Sequence, residues 1–181
     1  MLSFSRTVRI AFLMLGLAVL TGGAPTRTGL EAGRDLLIAA APVAGEGLAQ
    51  GALSGRPVIV TFFASWCPPC KHEFEALNKV RWRYPDDLLT IVAVNAFEAW
   101  GGKENPARMA RFLKQTDPAF PVIKGSDEIL RVYGNIERIP TLILFDAEGR
   151  EVWRFVHEQG AAKMSATSEE ILAALSRLGG T

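Results

Sequence analysis

The 181-residue chain has two cysteines, Cys67 and Cys70, in the run Trp66-Cys67-Pro68-Pro69-Cys70. Two thiols at this spacing can close a disulfide with each other or exchange one with another molecule. As a staple the bond does little, because a loop this short barely restricts the unfolded chain. As a metal site it supplies two thiolates where tetrahedral zinc wants four ligands. There is no second CxxC, and the two histidines, His72 and His157, give no CxxC–HxxxH spacing. The pattern therefore points to thiol–disulfide exchange.

Exchange needs a thiolate, and the flanking residues are arranged to supply one. Val58-Ile-Val-Thr-Phe-Phe63 is apolar and rich in β-branched and aromatic residues, as in a strand buried on both faces. Lys71–Tyr84 spaces Phe74, Leu77, Val80 and Tyr84 as one helical stripe. The strand thus delivers Cys67 to the first turn of a helix, where free N–H groups and the dipole favour negative charge. Pro68 and Pro69 are tolerated there because those N–H groups have no intrahelical partner. They also remove two donors, so the thiolate is stabilised only mildly and the pair is expected toward the reducing end of the exchange scale.

Phe63-Ala-Ser-Trp-Cys-Pro-Pro-Cys70 resembles the active-site signature of the thioredoxin superfamily, and its CPPC form is most similar to the TlpA/ResA-like thiol–disulfide oxidoreductases. The resemblance extends, more weakly, over about Gly47 to Leu178. It implies an α/β, thioredoxin-like fold, a mixed central sheet of four or five strands with helices on both faces, and a TlpA-type helical insertion. It implies Cys67 as the attacking and Cys70 as the resolving cysteine, in a broad apolar surface exposed around Cys67. Thioredoxins proper carry a buried carboxylate six residues before the first cysteine; Thr61 stands there in this chain, so a proton acceptor for Cys70 must come from elsewhere. Glu98, after Val92-Ala-Val-Asn95, matches a glutamate that lies near the cysteines in the resembled family. Its neighbours Phe97, Ala99 and Trp100 could raise its pKa by desolvation and let it exchange a proton with Cys70; as a residue it reads equally as a solvated loop acid. Pro140 matches the superfamily's cis-proline, and Ile139 with Trp66 is expected to line the surface on which an extended substrate docks.

The remaining chain supplies the frame. Leu88–Asn95 reads as a second buried strand, making a right-handed βαβ unit. Asn105-Pro106 opens a helix through about Thr116, the segment that fits the insertion. Phe120–Ile123 is extended, Ser126 caps a helix over Asp127–Tyr133, and Gly134 ends it. Leu142–Phe145 and Arg150–His157 form a hairpin across Asp146–Gly149. Thr167 and Glu170 have capping-box spacing ahead of a closing helix. Gly45–Arg56 is expected to hold turns and a short edge strand, and Leu30–Ala40 could form a short helix.

Residues 1–24 combine Arg6 and Arg9, the apolar run Ile10–Leu20 and the small residues Thr21-Gly-Gly-Ala24, the layout of an export signal. Eleven apolar residues are short of the roughly 20 that span a bilayer, so the segment is cleaved or retained as an anchor; either places the domain in the periplasm or another extracytoplasmic space. Residues 25–44 read as a linker and 45–181 as one domain. A net charge of +1 without a basic run gives no footprint for nucleic acid. The expected partners are protein disulfides or dithiols and a membrane electron donor, with no cofactor or resident metal, and the chain is expected to be a monomer. The expected activity is protein-disulfide reduction, with cytochrome c maturation or copper-site assembly as candidate client pathways. A copper chaperone binding Cu(I) through Cys67 and Cys70, with His157 as third ligand, is the competing reading, although such chaperones usually carry three residues between the cysteines.

Overall fold

The computed structural model describes residues 29–100, 102 and 104–179. Residues 1–24, expected as an export segment, lie outside them. At the centre run β2 (Val58–Phe63) and β3 (Thr90–Asn95), parallel and in register from Val58 opposite Thr90 to Phe63 opposite Asn95. Every residue of β2 is buried, which is why its sequence shows no polar alternation. Antiparallel β5 (Thr141–Phe145) lies on the other side of β2, and β6 (Glu151–Val156) pairs with β5 as the expected hairpin. Beyond β3 come β4 (Val122–Lys124) and the edge strand β1 (Pro42–Ala44), giving six strands in the order β1-β4-β3-β2-β5-β6. Two strands of three residues account for the excess over the four or five expected; the edge strand also falls just before Gly45–Arg56, which forms turns.

Helices cover both faces. On one, α2 (Pro68–Arg83) packs with α3 (Pro106–Thr116) and α5 (Ser168–Ser176) over a core that includes Phe63, Phe74, Phe112 and both cysteines. On the other, α1 (Gly29–Ala39) and α4 (Asp127–Val132) cover Val60, Phe62, Val92 and Phe145. Helix α3 lies between β3 and β4, where the resemblance implied an inserted helix, and β4 is the extended piece expected at Phe120–Ile123. Asn105, Ser126 and Thr167 cap their helices as expected, Thr167 and Glu170 in a reciprocal box.

From Gly29 onward, the stretch expected as a linker is folded. Leu30 and Leu37 of α1 are 1% and 0% exposed, and β1 extends the sheet. The alanine- and glycine-rich composition conceals this because Gly33 is where the ring of Tyr133, the C-cap of α4, closes on α1 and leaves no room for a Cβ. Among the described residues no helix is long and apolar enough to cross a membrane.

Candidate functional site

Strand register brings three loops to one end of the sheet. Phe63 pairs with Asn95, so Ala64–Cys67 and Ala96–Trp100 leave side by side; Phe62 pairs antiparallel with Thr141, so Ile139 and Pro140 arrive at the same edge. A 2.7 Å bond from the Ala96 N–H to the Phe63 carbonyl ties the first two loops. This is the carboxyl end of the parallel strands, where α/β sheets place their sites.

Cys67 is the N-cap of α2, with the two prolines at the first helical positions. It forms a disulfide with Cys70, and the Cys70 N–H points at Cys67 Sγ from 3.3 Å. Because Pro68 and Pro69 have no N–H, this is the donor that the helix start offers the sulfur. The exposed apolar patch expected around Cys67 is placed differently: Cys67 itself is only 4% exposed, while Trp100, stacked on Trp66, is 73% exposed. The Ile139–Pro140 peptide is cis. Ile139 and Trp66 are both half-buried and pack against the cluster that contains the cysteines.

Glu98 is near Cys67 in the fold but not in the state expected from its sequence neighbours. It is 8% exposed, and its carboxylate accepts bonds from the Ser65 N–H at 2.9 Å, the Ser65 hydroxyl, Asn95 Nδ2 at 3.0 Å and Arg108 Nη2 at 3.1 Å. Burial works to raise its pKa, but these donors together outweigh it and hold the pKa below the ordinary value. The raised pKa expected of Glu98 is therefore corrected: the side chain is a fixed anion. Arg108, from the inserted helix, also donates to Ser65 Oγ at 2.9 Å, so the insertion is bonded to the loop that carries Cys67.

The carboxyl that does meet desolvation is Glu73. It stands three residues after Cys70 on α2, hence on the same helical face, and is 1% exposed. The Thr61 hydroxyl donates to its Oε1, while its Oε2 has no hydrogen-bond partner. Burial dominates, with lesser relief from Thr61 and the Ala166 backbone, and raises its pKa from 4.5 to about 7. Sequence reasoning did not single out Glu73. A signal was present: Glu73, Leu77 and Val80 share helical spacing, so Glu73 lies on the stripe that faces the core.

The two histidines stay apart from the sulfur chemistry. His157 ends the hairpin, its N–H donating to the Pro140 carbonyl at 3.0 Å, and His72 lies exposed beside Glu75. Among the described residues no three His, Cys, Asp or Glu side chains gather where they could hold a metal ion.

The sequence pattern of the family described as Redoxin matches residues 31–172. A thiol-disulfide oxidoreductase ResA of Bacillus thuringiensis subsp. konkukian is 32% identical over 106 residues, 58% of this chain and 57% of that protein. The sporulation thiol-disulfide oxidoreductase A of Bacillus subtilis is 31% identical over 96 residues, 52% of this chain and 56% of that protein. The chain thus spans little more than half the length of these relatives. Among solved structures, StoA from Bacillus subtilis superposes with a TM-score of 0.58 at 25% identity, over 75% of this chain and 93% of that one. A secreted disulfide oxidoreductase of Mycobacterium tuberculosis shares the fold, with a TM-score of 0.60 at 19% identity over 80% of this chain and 98% of that one.

Proposed function

The chain belongs to the Redoxin family, and on that footing we propose that it is an extracytoplasmic thiol–disulfide oxidoreductase that acts on proteins as a reductase. The observation that carries the reading is the Cys67–Cys70 disulfide at the N-cap of α2, with the Trp66 and Ile139–Pro140 surfaces beside it. In the reduced protein, the Cys67 thiolate attacks a sulfur of a client disulfide. A Cys67–client disulfide forms and the client's other sulfur leaves as a thiolate. Cys70 then gives its proton to Glu73 and attacks Cys67 Sγ, which releases the second client thiolate and closes Cys67–Cys70. Two electrons pass to the client, and a dithiol donor, proposed to be membrane-bound, restores the protein. Trp66, Ile139 and Pro140 form the docking surface. Glu98 acts as a positioning residue that holds the Ser65 loop rather than as the proton carrier.

The prolines support the reducing direction. They leave the Cys70 N–H facing the sulfur while deleting two other donors, so the Cys67 thiolate, and with it the dithiol form, is only modestly stabilised. Clients in cytochrome c maturation or copper-site assembly fit a reductase of this kind, and residues 1–24 are proposed to export it. The test is covalent trapping: Cys70→Ser should accumulate mixed disulfides with extracytoplasmic proteins, and Cys67→Ser should accumulate none. Equal trapping by both variants, or insulin reduction that survives loss of Cys67, overturns the reading.

A further inference from the structure

We infer that Trp100 determines specificity in the exchange reaction: its indole, stacked on Trp66 beside the disulfide, receives an aromatic or large aliphatic side chain that flanks the client's reactive cysteine. The inference rests on the exchange activity proposed above.

Trp100 is not a stray surface residue. The two indoles stack with centroids 5.0 Å apart and planes 28° apart. Both hang from one oxygen: the Phe97 carbonyl accepts the Trp66 Nε1–H at 2.9 Å and the Trp100 N–H at 3.0 Å. Phe97 presents that carbonyl from the left-handed region, φ 54°, which a bulky residue seldom adopts. The next residue, Glu98, is fastened to Ser65, two positions before Cys67. The stack is therefore held in a fixed relation to the sulfur. Trp82 makes the contrast: it is more exposed, at 89%, but it lies in the last turn of α2, about 22 Å along the helix from Cys67.

The chemistry fixes where a client lies. Its sulfur bonds to Cys67 Sγ at about 2.05 Å, and its neighbouring residues follow at about 3.8 Å per Cα. They must rest on the side chains that border Cys67. Trp66 precedes Cys67 in the chain and stacks on Trp100, and Trp66 and Ile139 both pack against the cluster that contains Cys67, so large apolar side chains stand on this side of the sulfur. A large ring already held in place loses little freedom on contact, which is what makes tryptophan an effective binding anchor. The occupant that fits is a large apolar side chain.

The experiment uses the full chain in its reduced form and oxidised peptides that differ only in the residue next to the cysteine: phenylalanine, glycine or arginine. The parent should reduce the phenylalanine peptide with a kcat/KM about fivefold above the glycine peptide, within the range an aromatic pair supplies. Trp100→Ala should bring that ratio close to one, and Trp100→Phe should keep most of it. Equal kcat/KM on the two peptides, a preference for the arginine flank, or a ratio unchanged in Trp100→Ala overturns the inference and leaves the exchange activity standing. Reduction of none of the peptides overturns the exchange reading and this inference with it.

Discussion

Replacing Glu73 with glutamine should flatten the pH dependence of stability that the parent shows between weakly acidic and neutral pH. Below pH 4.5 the carboxyl is protonated in both the folded and the unfolded chain. From there to about pH 7 the folded chain keeps a proton that the unfolded chain has lost, so stability falls as pH rises. Above about 7 the folded carboxylate ionises in its buried site and the loss is complete. At about 1.4 kcal/mol per pH unit, the interval corresponds to roughly 3 kcal/mol. Glutamine fills the same space, cannot ionise and can still accept the Thr61 hydroxyl. The stability of Glu73→Gln relative to the oxidised parent should therefore climb by roughly 3 kcal/mol across this window and level off above it. Urea unfolding of both proteins at a series of pH values measures the difference with other titrating groups cancelled. Parallel curves, or a variant that loses ground as pH rises, would refute the assignment of a buried, proton-holding Glu73. In single-turnover reduction the same variant should slow closure of the Cys67–Cys70 disulfide by on the order of a hundredfold, as expected when a positioned base is lost. It should also lose the rate inflection near pH 7.

Two other substitutions probe the frame around the sulfurs. Pro69→Ala restores one N–H at the start of α2; a bond to the Cys67 thiolate worth about 1 kcal/mol should lower the thiol pKa by about 0.7 and raise the reduction potential by about 20 mV. Thiol alkylation against pH and equilibration with glutathione measure the two, and a pKa that stays or rises contradicts the role given to the prolines. Gly33→Ala pushes a methyl into the Tyr133 ring and should cost about 1–3 kcal/mol in urea unfolding; an unchanged midpoint would mean that α1 is not part of the cooperative domain.

Much of the site was legible because it is local. Strand, cap and helix follow one another within Val58–Arg83, so the position of Cys67 at a helix start could be read from periodicity and two prolines. The capping pairs at Asn105 and Thr167 are equally local. Arg108 was not legible: it meets Ser65 across 43 residues, and only the register of β2 with β3 brings the two loops together. Strand β1 escaped because three residues are too few to show a period, whereas the short helix considered over Leu30–Ala40 is present as α1, its glycine serving as a point of close packing rather than as a break. The cis-proline came from resemblance, since spacing alone carries no signal for it.

The two glutamates show why sequence neighbours are a poor guide to proton affinity. Glu98 sits among Phe97, Ala99 and Trp100 and looks desolvated, while Glu73 sits between His72 and Phe74 with Lys71 and Glu75 nearby and looks solvated. In the fold the assignments reverse. Both carboxyls are nearly inaccessible, at 8% and 1%, so burial alone does not separate them. Donor supply does. Glu98 faces the Ser65 backbone N–H, the Asn95 side-chain amide, a hydroxyl and a guanidinium, which together favour the charged form more than burial disfavours it. Glu73 has only the Thr61 hydroxyl and lesser relief from the Ala166 backbone, so burial wins. Carboxyls driven in opposite directions divide the labour of a site: the one held ionised fixes geometry, and the one poised near neutrality can carry a proton. Thr61 is what makes the second role possible in this chain. It occupies a buried position of β2, and its hydroxyl donates to an acid on the helix, one turn beyond Cys70.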